Sequence, residues 1–312
     1  MPPHAPAIDA AAVDALIRDF PGRISLVIKD LSTGLTYEHE PHRRLPAASV
    51  FKLPIMAALL HEVEHGRLSL EDRHAPHDGL SRHGTGSIGR LQADVARTIG
   101  EYCHMMIAQS DNVATDLILE LIGTEPVNAL LDELGLTNTR VNMPIGRWHY
   151  LMVGLDDEPI NAHHDALCDE RVQDGRFNFD AVTFCDSLAN NVSSASDMAR
   201  MLEMIHRGRL ISADASQRMR DMLLACTHRG MIPRQLDPAV QVAHKIGQSA
   251  RIRADVGIVY LPHRPVIISA LTCVPEPGQA RPGRQLITDI AAATVRNLHP
   301  PAVTNADRTD PV

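Results

Sequence analysis

Strand-like sequence lies at both ends of this 312-residue chain, and helix-like sequence fills most of the middle. Near the N-terminus, "ISLVIKD" and "LTYEHE" are typical of two strands joined by a turn at "STG". Near the C-terminus, "VQVAHKIG", "ADVGIVYL" and "PVIISALTCV" are three strand-like runs with tight connections. Short turns favour antiparallel pairing, so we predict an α/β fold of the α+β type in which both termini build one antiparallel sheet.

Helical patterns surround and separate the two groups of strands. Apolar residues recur at helical spacing from Ser49 to about residue 136, and three glycines stand where helices commonly end. These glycines are Gly66, Gly123 and Gly135. Residues 8–19 and the run "RQLITDIAAATVRNL" are two further helices, which we expect to cover the sheet.

The segment 137–192 differs from the rest of the helical region because it is polar, weakly periodic and rich in turn residues. We interpret it as a long ordered loop with one short helix, and such loops are commonly functional. Ser196 is the expected N-cap of the helix that follows. The chain is predicted to form a single domain over 1–298, with a disordered tail at 299–312. Its parts are sheet-forming segments at about 8–45 and 205–298, and a helical part at about 46–204.

Charge and composition argue against several classes of partner. The 30 Lys and Arg residues against 38 Asp and Glu give a net charge of −8 without a basic stripe, so neither nucleic acid nor an anionic membrane is expected to bind. No run reaches the roughly 18 apolar residues of a membrane-spanning helix. The N-terminus lacks the features of a secretory signal, and the five cysteines are odd in number. We therefore expect free thiols and a cytoplasmic location, and the sequence does not predict the oligomeric state.

The stretch "LPAASVFKLPIMAALL", residues 45–60, carries a serine and a lysine one helical turn apart. Ser49 and Lys52 would lie on one face of a helix, where a neutral amine can take the proton of the hydroxyl. Burial or a nearby cation makes the neutral amine accessible by lowering its pKa. Ser49 would also lie near a helix N-terminus, which favours an oxyanion. The spacing is common in unrelated helices, so it gains meaning only with other motifs.

Two further motifs follow in order. "SDN" at 110–112 directly precedes a predicted helix, and "KIG" at 245–247 lies on a predicted strand. The order S-x-x-K, S-D-N, K-x-G resembles that of the penicillin-recognising serine hydrolases, and in particular the class A β-lactamases. The resemblance extends over about 10–298, apart from the long loop. It implies an antiparallel sheet made by both termini, flanked by helices, with a mostly helical inserted sub-domain.

The resemblance also implies a role for each polar side chain of the motifs. Ser49 would be the nucleophile that forms an acyl-enzyme, and Lys52 would be its general base or the partner of one. Ser110 would relay a proton to the leaving nitrogen, and Asn112 would hold both the substrate amide and Lys52. Lys245 would face a carboxylate of the substrate.

Residues next to the third motif would complete the substrate site. The resemblance implies an oxyanion hole made by the backbone N–H groups of Ser49 and Gln248. Gly247 and Ser249, on either side of Gln248, would also contact the substrate, while Asp111 would tie down its own loop. The expected partner is a small molecule that carries a carboxylate, and no cofactor or metal is implied.

The chain departs from the family pattern where the family has a hydroxyl after the lysine. Ile246 takes that position and cannot donate a hydrogen bond to the substrate carboxylate. Leaving a charged acceptor short of one hydrogen bond costs roughly 1.5–3 kcal/mol. Ser249, two residues beyond Gly247, is the candidate to replace this donor. A second departure is Cys103, whose usual disulfide partner position is taken by Met56.

The glutamate that activates water in class A enzymes also lacks a clear counterpart. The family pattern is E-x-x-L-N, and "DDEPINAHH" offers Glu158 with an asparagine one residue too early. Glu158 is the first candidate for the deacylating base and Glu170 is the second, although both could be solvated loop carboxylates. Without such a base, water would attack an acyl-enzyme slowly.

A competing motif lies in the same predicted helix as Ser49. "HEVEH" at 61–65 fits the H-E-x-x-H pattern of zinc hydrolases, with His61 and His65 on one face. It lies about three turns beyond Ser49, and no third ligand is evident. We interpret the pair as surface histidines, and His163 and His164 likewise.

Two functions follow from these observations. The first is a serine hydrolase of β-lactamase type that cleaves a β-lactam or a related amide or ester through an acyl-enzyme at Ser49. The alternative is a penicillin-binding or sensor-like protein that is acylated at Ser49 without efficient turnover. The presence of a competent deacylating base distinguishes them.

Overall fold

The computed structural model describes residues 7–91, 95–275 and 280–299. In these ranges the helices are α1 (Ala10–Arg18), α2 (Lys52–Glu64), α3 (Ile88–Leu91), α4 (Ile99–Ala108), α5 (Asn112–Ile122), α6 (Thr124–Glu133), α7 (Ile145–Met152), α8 (Ala162–Gln173), α9 (Ala195–His206), α10 (Ala213–Leu224) and α11 (Ala280–Leu298). The strands are β1 (Arg23–Asp30), β2 (Thr36–His39), β3 (Leu45–Pro46), β4 (Arg73–His74), β5 (Arg97–Thr98), β6 (Val192–Ser193), β7 (Gln241–Gln248), β8 (Ile252–Leu261) and β9 (Arg264–Cys273). Short 3-10 segments lie at Ala48–Phe51, Val182–Phe184 and Ile232–Gln235.

Both ends of the chain build one antiparallel sheet, as the sequence predicted. Its five strands lie in the order β2-β1-β9-β8-β7. β1 pairs with β9 along its whole length, from Arg23 opposite Cys273 to Asp30 opposite Val266. The N-terminal strand is thereby held next to the last strand of the chain, and β7 is left at one edge of the sheet.

The sheet separates two clusters of buried apolar side chains, because successive residues of a strand point to opposite faces. On β1, Leu26 and Ile28 belong to the smaller cluster with residues of α1 and α11, whereas Val27 belongs to the larger cluster with the helical part. On β7 the same alternation assigns Ile246 to the smaller cluster and Ala243 to the larger one. Lys245, two residues from Ala243, therefore points toward the helical part.

The helix ends confirm one set of predictions and correct another. Gly66 and Gly135 follow the last turns of α2 and α6 with φ near +68°, and Gly123 ends α5 with φ +77°. These left-handed conformations are the ones that favour glycine. The predicted N-cap at Ser196 is wrong, because Ser194 caps α9 by accepting a hydrogen bond from the backbone N–H of Asp197.

The segment 137–192 contains two helices, α7 and α8, where the sequence predicted one. Trp148 and Tyr150 of this segment are fully buried, and each makes a polar contact. Trp148 Nε1 donates to Asn190 Oδ1 at 3.0 Å, and the Tyr150 hydroxyl donates to Asp165 Oδ1 at 2.9 Å. These contacts pack the segment onto the helical part.

Three other expectations concern the chain as a whole. No helix within the described ranges is long and apolar enough to cross a membrane. The five cysteines are free thiols. Of the expected tail at 299–312, all but His299 lies outside the described residues.

Candidate active site

Ser49 lies in a strained turn where two parts of the fold meet. It belongs to the 3-10 segment Ala48–Phe51, which runs directly into α2, so its N–H groups lie at the positive end of a helix. Ala48, just before it, has φ +41°, a left-handed conformation that is unfavourable for a residue with a Cβ. Ser49 is half-buried and lines a cleft of about 690 Å³.

Lys52 is completely buried beneath this turn. Its Nζ donates hydrogen bonds to the carbonyl oxygen of Ser110 at 2.8 Å, to Ser110 Oγ at 3.2 Å and to Asn112 Oδ1 at 2.8 Å. Burial, followed by the charge of Lys245, lowers the pKa of Lys52 well below its usual value. The neutral amine that a general base requires is therefore favoured at this position.

Ser110 joins the two lysines of the site. Its Oγ accepts hydrogen bonds from Lys52 at 3.2 Å and from Lys245 at 2.9 Å. Ser110 itself has φ +57°, so the S-D-N turn is another strained point beside the cleft. Lys245 is fully buried, and this burial lowers its pKa to about 8. The structure thus brings together all three predicted motifs.

The K-x-G strand approaches the Ser49 turn so closely that only glycine fits at position 247. A Cβ on Gly247 would lie 2.8 Å from the carbonyl oxygen of Ala47 and 3.1 Å from the backbone nitrogen of Ser49. Gln248 follows at the end of β7, lines the cleft and accepts a 3.3 Å hydrogen bond from Arg284. Its backbone is therefore next to the turn that carries the Ser49 N–H.

Neither residue 246 nor residue 249 offers a solvent-exposed hydroxyl to the cleft, because Ile246 has none and that of Ser249 is buried. Ser249 is one of the lining residues, but its Oγ is shielded from solvent and makes no hydrogen bond within the described chain. Ile246 also lines the cleft, but it belongs to the smaller apolar cluster on the other face of the sheet. Two cations also line the cleft next to these residues: Arg253 donates a hydrogen bond to the Ser249 carbonyl oxygen, and Arg284 to Gln248 Oε1.

Neither predicted glutamate is brought to Ser49. Glu158 is exposed and lies 3.2 Å from His164 Nε2, and it is absent from the described residues that line the cleft. Glu170 is exposed as well and pairs with Arg176. The expectation that Glu158 is the deacylating base is corrected by this geometry, since its loop directs the carboxylate outward.

The neighbours of the S-D-N turn hold its geometry. Asp111 is buried and accepts hydrogen bonds from the backbone N–H groups of Ala114, Ser87 and Ile88, which confirms that it ties down its loop. The Thr85 hydroxyl donates to the carbonyl oxygen of Ser110 at 2.7 Å. The Thr85 contact was not predicted, because nothing in the sequence relates this loop to residue 110.

Segment 137–192 and the loop before α3 supply further cleft residues that the sequence analysis missed. His149, from α7, and Asp169, from α8, line the cleft together with His83. His83 Nδ1 lies 2.6 Å from Asp169 Oδ1, and the His83 and His149 rings meet edge to face with centroids 4.8 Å apart. A helical period would have been needed to place His149, and this segment shows only a weak one.

The competing "HEVEH" motif lies at the opposite end of α2 from Ser49. The rings of His61 and His65 are 4.2 Å apart, while Glu62 is paired with Arg67. Within the described ranges no group of three or more His, Cys, Asp or Glu side chains is arranged to hold a metal ion. At 1.5 Å per residue, His65 is roughly 20 Å from the nucleophile turn and cannot share its chemistry.

The fold and the three motifs together define a serine and lysine site of the class A β-lactamase type. The chain belongs to the β-lactamase enzyme family, whose sequence pattern it matches over residues 10–298. A β-lactamase from Streptomyces cellulosae is 32% identical over 137 residues, covering 43% of this chain and 42% of the relative. The β-lactamase regulatory protein BlaB of Streptomyces cacaoi is 22% identical over 295 residues, covering 88% of this chain and 91% of the relative.

Solved structures support the same fold. A β-lactamase from Sphaerobacter thermophilus superposes with a TM-score of 0.72 and 24% identity, covering 93% of this chain and 96% of that one. The match to the Streptomyces cellulosae enzyme spans less than half of that relative's own length. Fold and family are therefore established.

Proposed function

We propose that this protein is a serine hydrolase that opens a β-lactam or a related cyclic amide through an acyl-enzyme at Ser49. The observation that carries the proposal is the buried chain of hydrogen bonds from Lys52 through Ser110 to Lys245. Two amines held against one serine hydroxyl can move a proton from the nucleophile to a leaving nitrogen without a cofactor.

The proposed acylation uses these groups in turn. Neutral Lys52 takes the proton of the Ser49 hydroxyl as Oγ attacks the carbonyl carbon. The oxyanion that forms is stabilised by the N–H groups of Ser49 and Gln248, which the close approach of Gly247 brings together. The C–N bond then breaks, and the Ser110 hydroxyl passes its proton to the leaving nitrogen. Ser110 receives a proton in return from Lys52, which took one from Ser49.

Substrate recognition depends on positive charge in the cleft. Lys245, Arg253 and Arg284 line it, so a substrate with a carboxylate next to the scissile amide would find three cations. Guanidinium groups bind carboxylates in a forked geometry that a hydroxyl cannot reproduce. These arginines take over the contact that Ile246 cannot make, because the hydroxyl of Ser249 is shielded from solvent.

The proposal is tested by following the intact mass of the protein after addition of benzylpenicillin. Wild type should gain the mass of one penicillin and then lose it as hydrolysed drug accumulates, whereas Ser49→Ala should gain nothing. Ser69→Ala, an exposed serine outside the cleft, is the matched control and should behave like wild type. An adduct that forms equally in Ser49→Ala would refute the assignment, and one that persists in wild type would indicate the sensor-like alternative.

A further inference from the structure

Segment 137–192 supplies one basic side chain to the cleft. Among the described residues that line it, this segment contributes His149, Met152, Asp169, Val172 and Phe177. Apart from Asp169, which is held by His83, only His149 carries a group that can exchange a proton. A base that activates water for release of an acyl group must come from a side chain of this kind, within reach of the acylated serine.

The backbone around His149 is fixed from the helical core. Asp116, buried in α5, accepts hydrogen bonds from the backbone N–H groups of Ile145 at 2.6 Å and Gly146 at 2.8 Å. These two residues form the first turn of α7, and His149 follows on the next turn. The imidazole is therefore anchored to the same helix, α5, that begins with Asn112.

The ring of His149 lies against the groups that hold Lys52. Gly84 has φ +99°, and a Cβ at this position would overlap with Asn112 Nδ2 and lie 3.1 Å from His149 Cε1. Because Gly84 has no side chain, both the Asn112 amide and the His149 imidazole can pack against its backbone. Asn112 Oδ1 in turn accepts the 2.8 Å hydrogen bond from Lys52.

The surroundings keep this imidazole neutral. Burial, then the charges of His83 and Lys52, lowers the pKa of His149 well below its usual value. Its Nδ1 is shielded from solvent and has no hydrogen-bond partner in the described chain. The titratable groups that face it are His83 and Asp169 across the cleft, Lys52 from α2, and the Cys168 thiol, which contacts the His149 carbonyl. A neutral imidazole in the cleft that also holds Ser49 can accept a proton.

We propose that His149 is the general base of deacylation, in the position for which the sequence offered Glu158. This inference rests on the proposed acyl-enzyme at Ser49. His149 takes a proton from a water molecule as the water oxygen attacks the acyl carbon. The tetrahedral intermediate collapses, the bond from carbon to Ser49 Oγ breaks, and Oγ receives the proton back. The products are the carboxylic acid and free Ser49.

The test separates formation of the adduct from its release. Wild type, His149→Asn and His149→Gln are mixed with benzylpenicillin, and the acylated fraction is followed by quenched-flow mass spectrometry. Acylation should stay within about threefold of wild type, while release should slow by about 100-fold or more, as loss of a general base does. The wild-type release rate should fall as pH drops through the His149 pKa, and that dependence should vanish in His149→Gln.

Matched controls come from the same segment. His164→Asn and Glu158→Gln alter a pair that lies outside the cleft lining and should release the acyl group at the wild-type rate. A thermal melt of each variant verifies folding. Two different substitutions are made at His149 so that the test still stands if one of the variants does not fold. Release at the wild-type rate in both His149 variants overturns the proposal, as does slow release in Glu158→Gln alone. If wild type forms no adduct at Ser49, the proposed acyl-enzyme function itself is wrong. This result differs from the two above, which would overturn only the role of His149.

Discussion

Two lysines share one serine in this cleft, and their surroundings give them different tasks. The chain contains only three lysines, and Lys52 and Lys245 are both buried beside Ser110. Burial and the charge of Lys245 lower the pKa of Lys52 well below normal, while burial lowers that of Lys245 to about 8. Because neighbouring like charges disfavour double protonation, the charge of Lys245 adds to burial in favouring the neutral form of Lys52.

Lys52→Arg should block acylation while keeping the positive charge. Arginine does not lose its proton in proteins, and a general base contributes about 10²- to 10⁴-fold, so the acylation rate should fall by that factor. In wild type the base works only when neutral, so acylation should rise with pH until Lys52 is deprotonated and then level off. Stopped-flow acylation by benzylpenicillin at a series of pH values measures both effects.

The third lysine provides the control for this substitution. Lys29 pairs with Glu203 on the sheet, outside the cleft lining, so Lys29→Arg should acylate like wild type. A wild-type acylation rate that does not change with pH, or a Lys52→Arg variant that acylates normally, would remove Lys52 from the role of base.

The same residues show what local sequence can predict. One helical turn relates Ser49 to Lys52, so their proximity could be predicted from the sequence. Lys245 could be assigned only through the resemblance of its K-x-G motif, and the alternation of β7 explains which face it takes. Glu158 was misplaced and His149 missed because both lie in segment 137–192, where side-chain direction depends on packing against distant residues. The contact of Asp116 with Ile145 that orients this segment joins positions 29 residues apart.

At the level of elements, the site depends on how α7 is attached to α5. The N-terminal N–H groups of a helix lack partners within the helix. In α7 the carboxylate of Asp116, from the neighbouring helix α5, accepts hydrogen bonds from these N–H groups. Burial raises the pKa of the Asp116 carboxyl to about 6. The attachment is a cap made through tertiary contact, which no sequence rule for caps would find.

Asp116→Ala should loosen α7 and destabilise the fold. It leaves the N–H groups of Ile145 and Gly146 without their acceptor, and each buried unsatisfied group costs about 1–3 kcal/mol. We expect the free energy of unfolding in denaturant at pH 7 to fall by about 2–4 kcal/mol. Asp214→Ala, which removes an exposed carboxylate paired with Arg218, should change it by less than about 1 kcal/mol. Equal stability of the two variants would contradict the cap.

A second element contact joins β7 to the Ser49 turn. Gly247→Ala inserts a Cβ about 3 Å from backbone atoms of this turn, so strand and turn must move apart. We expect acylation to slow by up to about 100- to 1,000-fold, because the oxyanion N–H groups shift and the loss of one such donor has an effect of this size. Gly66→Ala, a helix-end glycine with open space around it, should cost about 1 kcal/mol of stability and leave acylation unchanged. The two variants thus separate site geometry from stability.

Helix α8 shows why some elements escape prediction. Its buried residues include only Asp165 and Cys168, so it has no apolar stripe to reveal a helical period. Polar contacts define α8 instead: Asn161 caps its N-terminus, and Asp165 accepts hydrogen bonds from Ser81 and Tyr150. The strands of the sheet, by contrast, were visible because apolar burial on both faces leaves near-continuous apolar runs.

At the scale of the whole molecule, the charge of the cleft opposes that of the chain. The protein carries a net charge of −8, yet Lys245, Arg253 and Arg284 all line the cleft. In the described ranges neither arginine forms an ion pair with a carboxylate. Such a local positive field in an acidic protein concentrates anionic substrates at the site and repels cationic ones.

This field predicts how salt and one substitution should affect substrate capture. Raising the ionic strength shortens the screening length to a few ångströms, so kcat/KM for benzylpenicillin should fall several-fold while that for its neutral methyl ester should stay nearly constant. Arg284→Gln should reduce kcat/KM for the acid about tenfold and flatten its salt dependence. Arg296→Gln, exposed on the last turn of the same helix α11, is the control and should match wild type. Equal salt dependence of acid and ester would mean that recognition is not electrostatic, and the arginines would then serve only to hold Gln248 and the hairpin behind it.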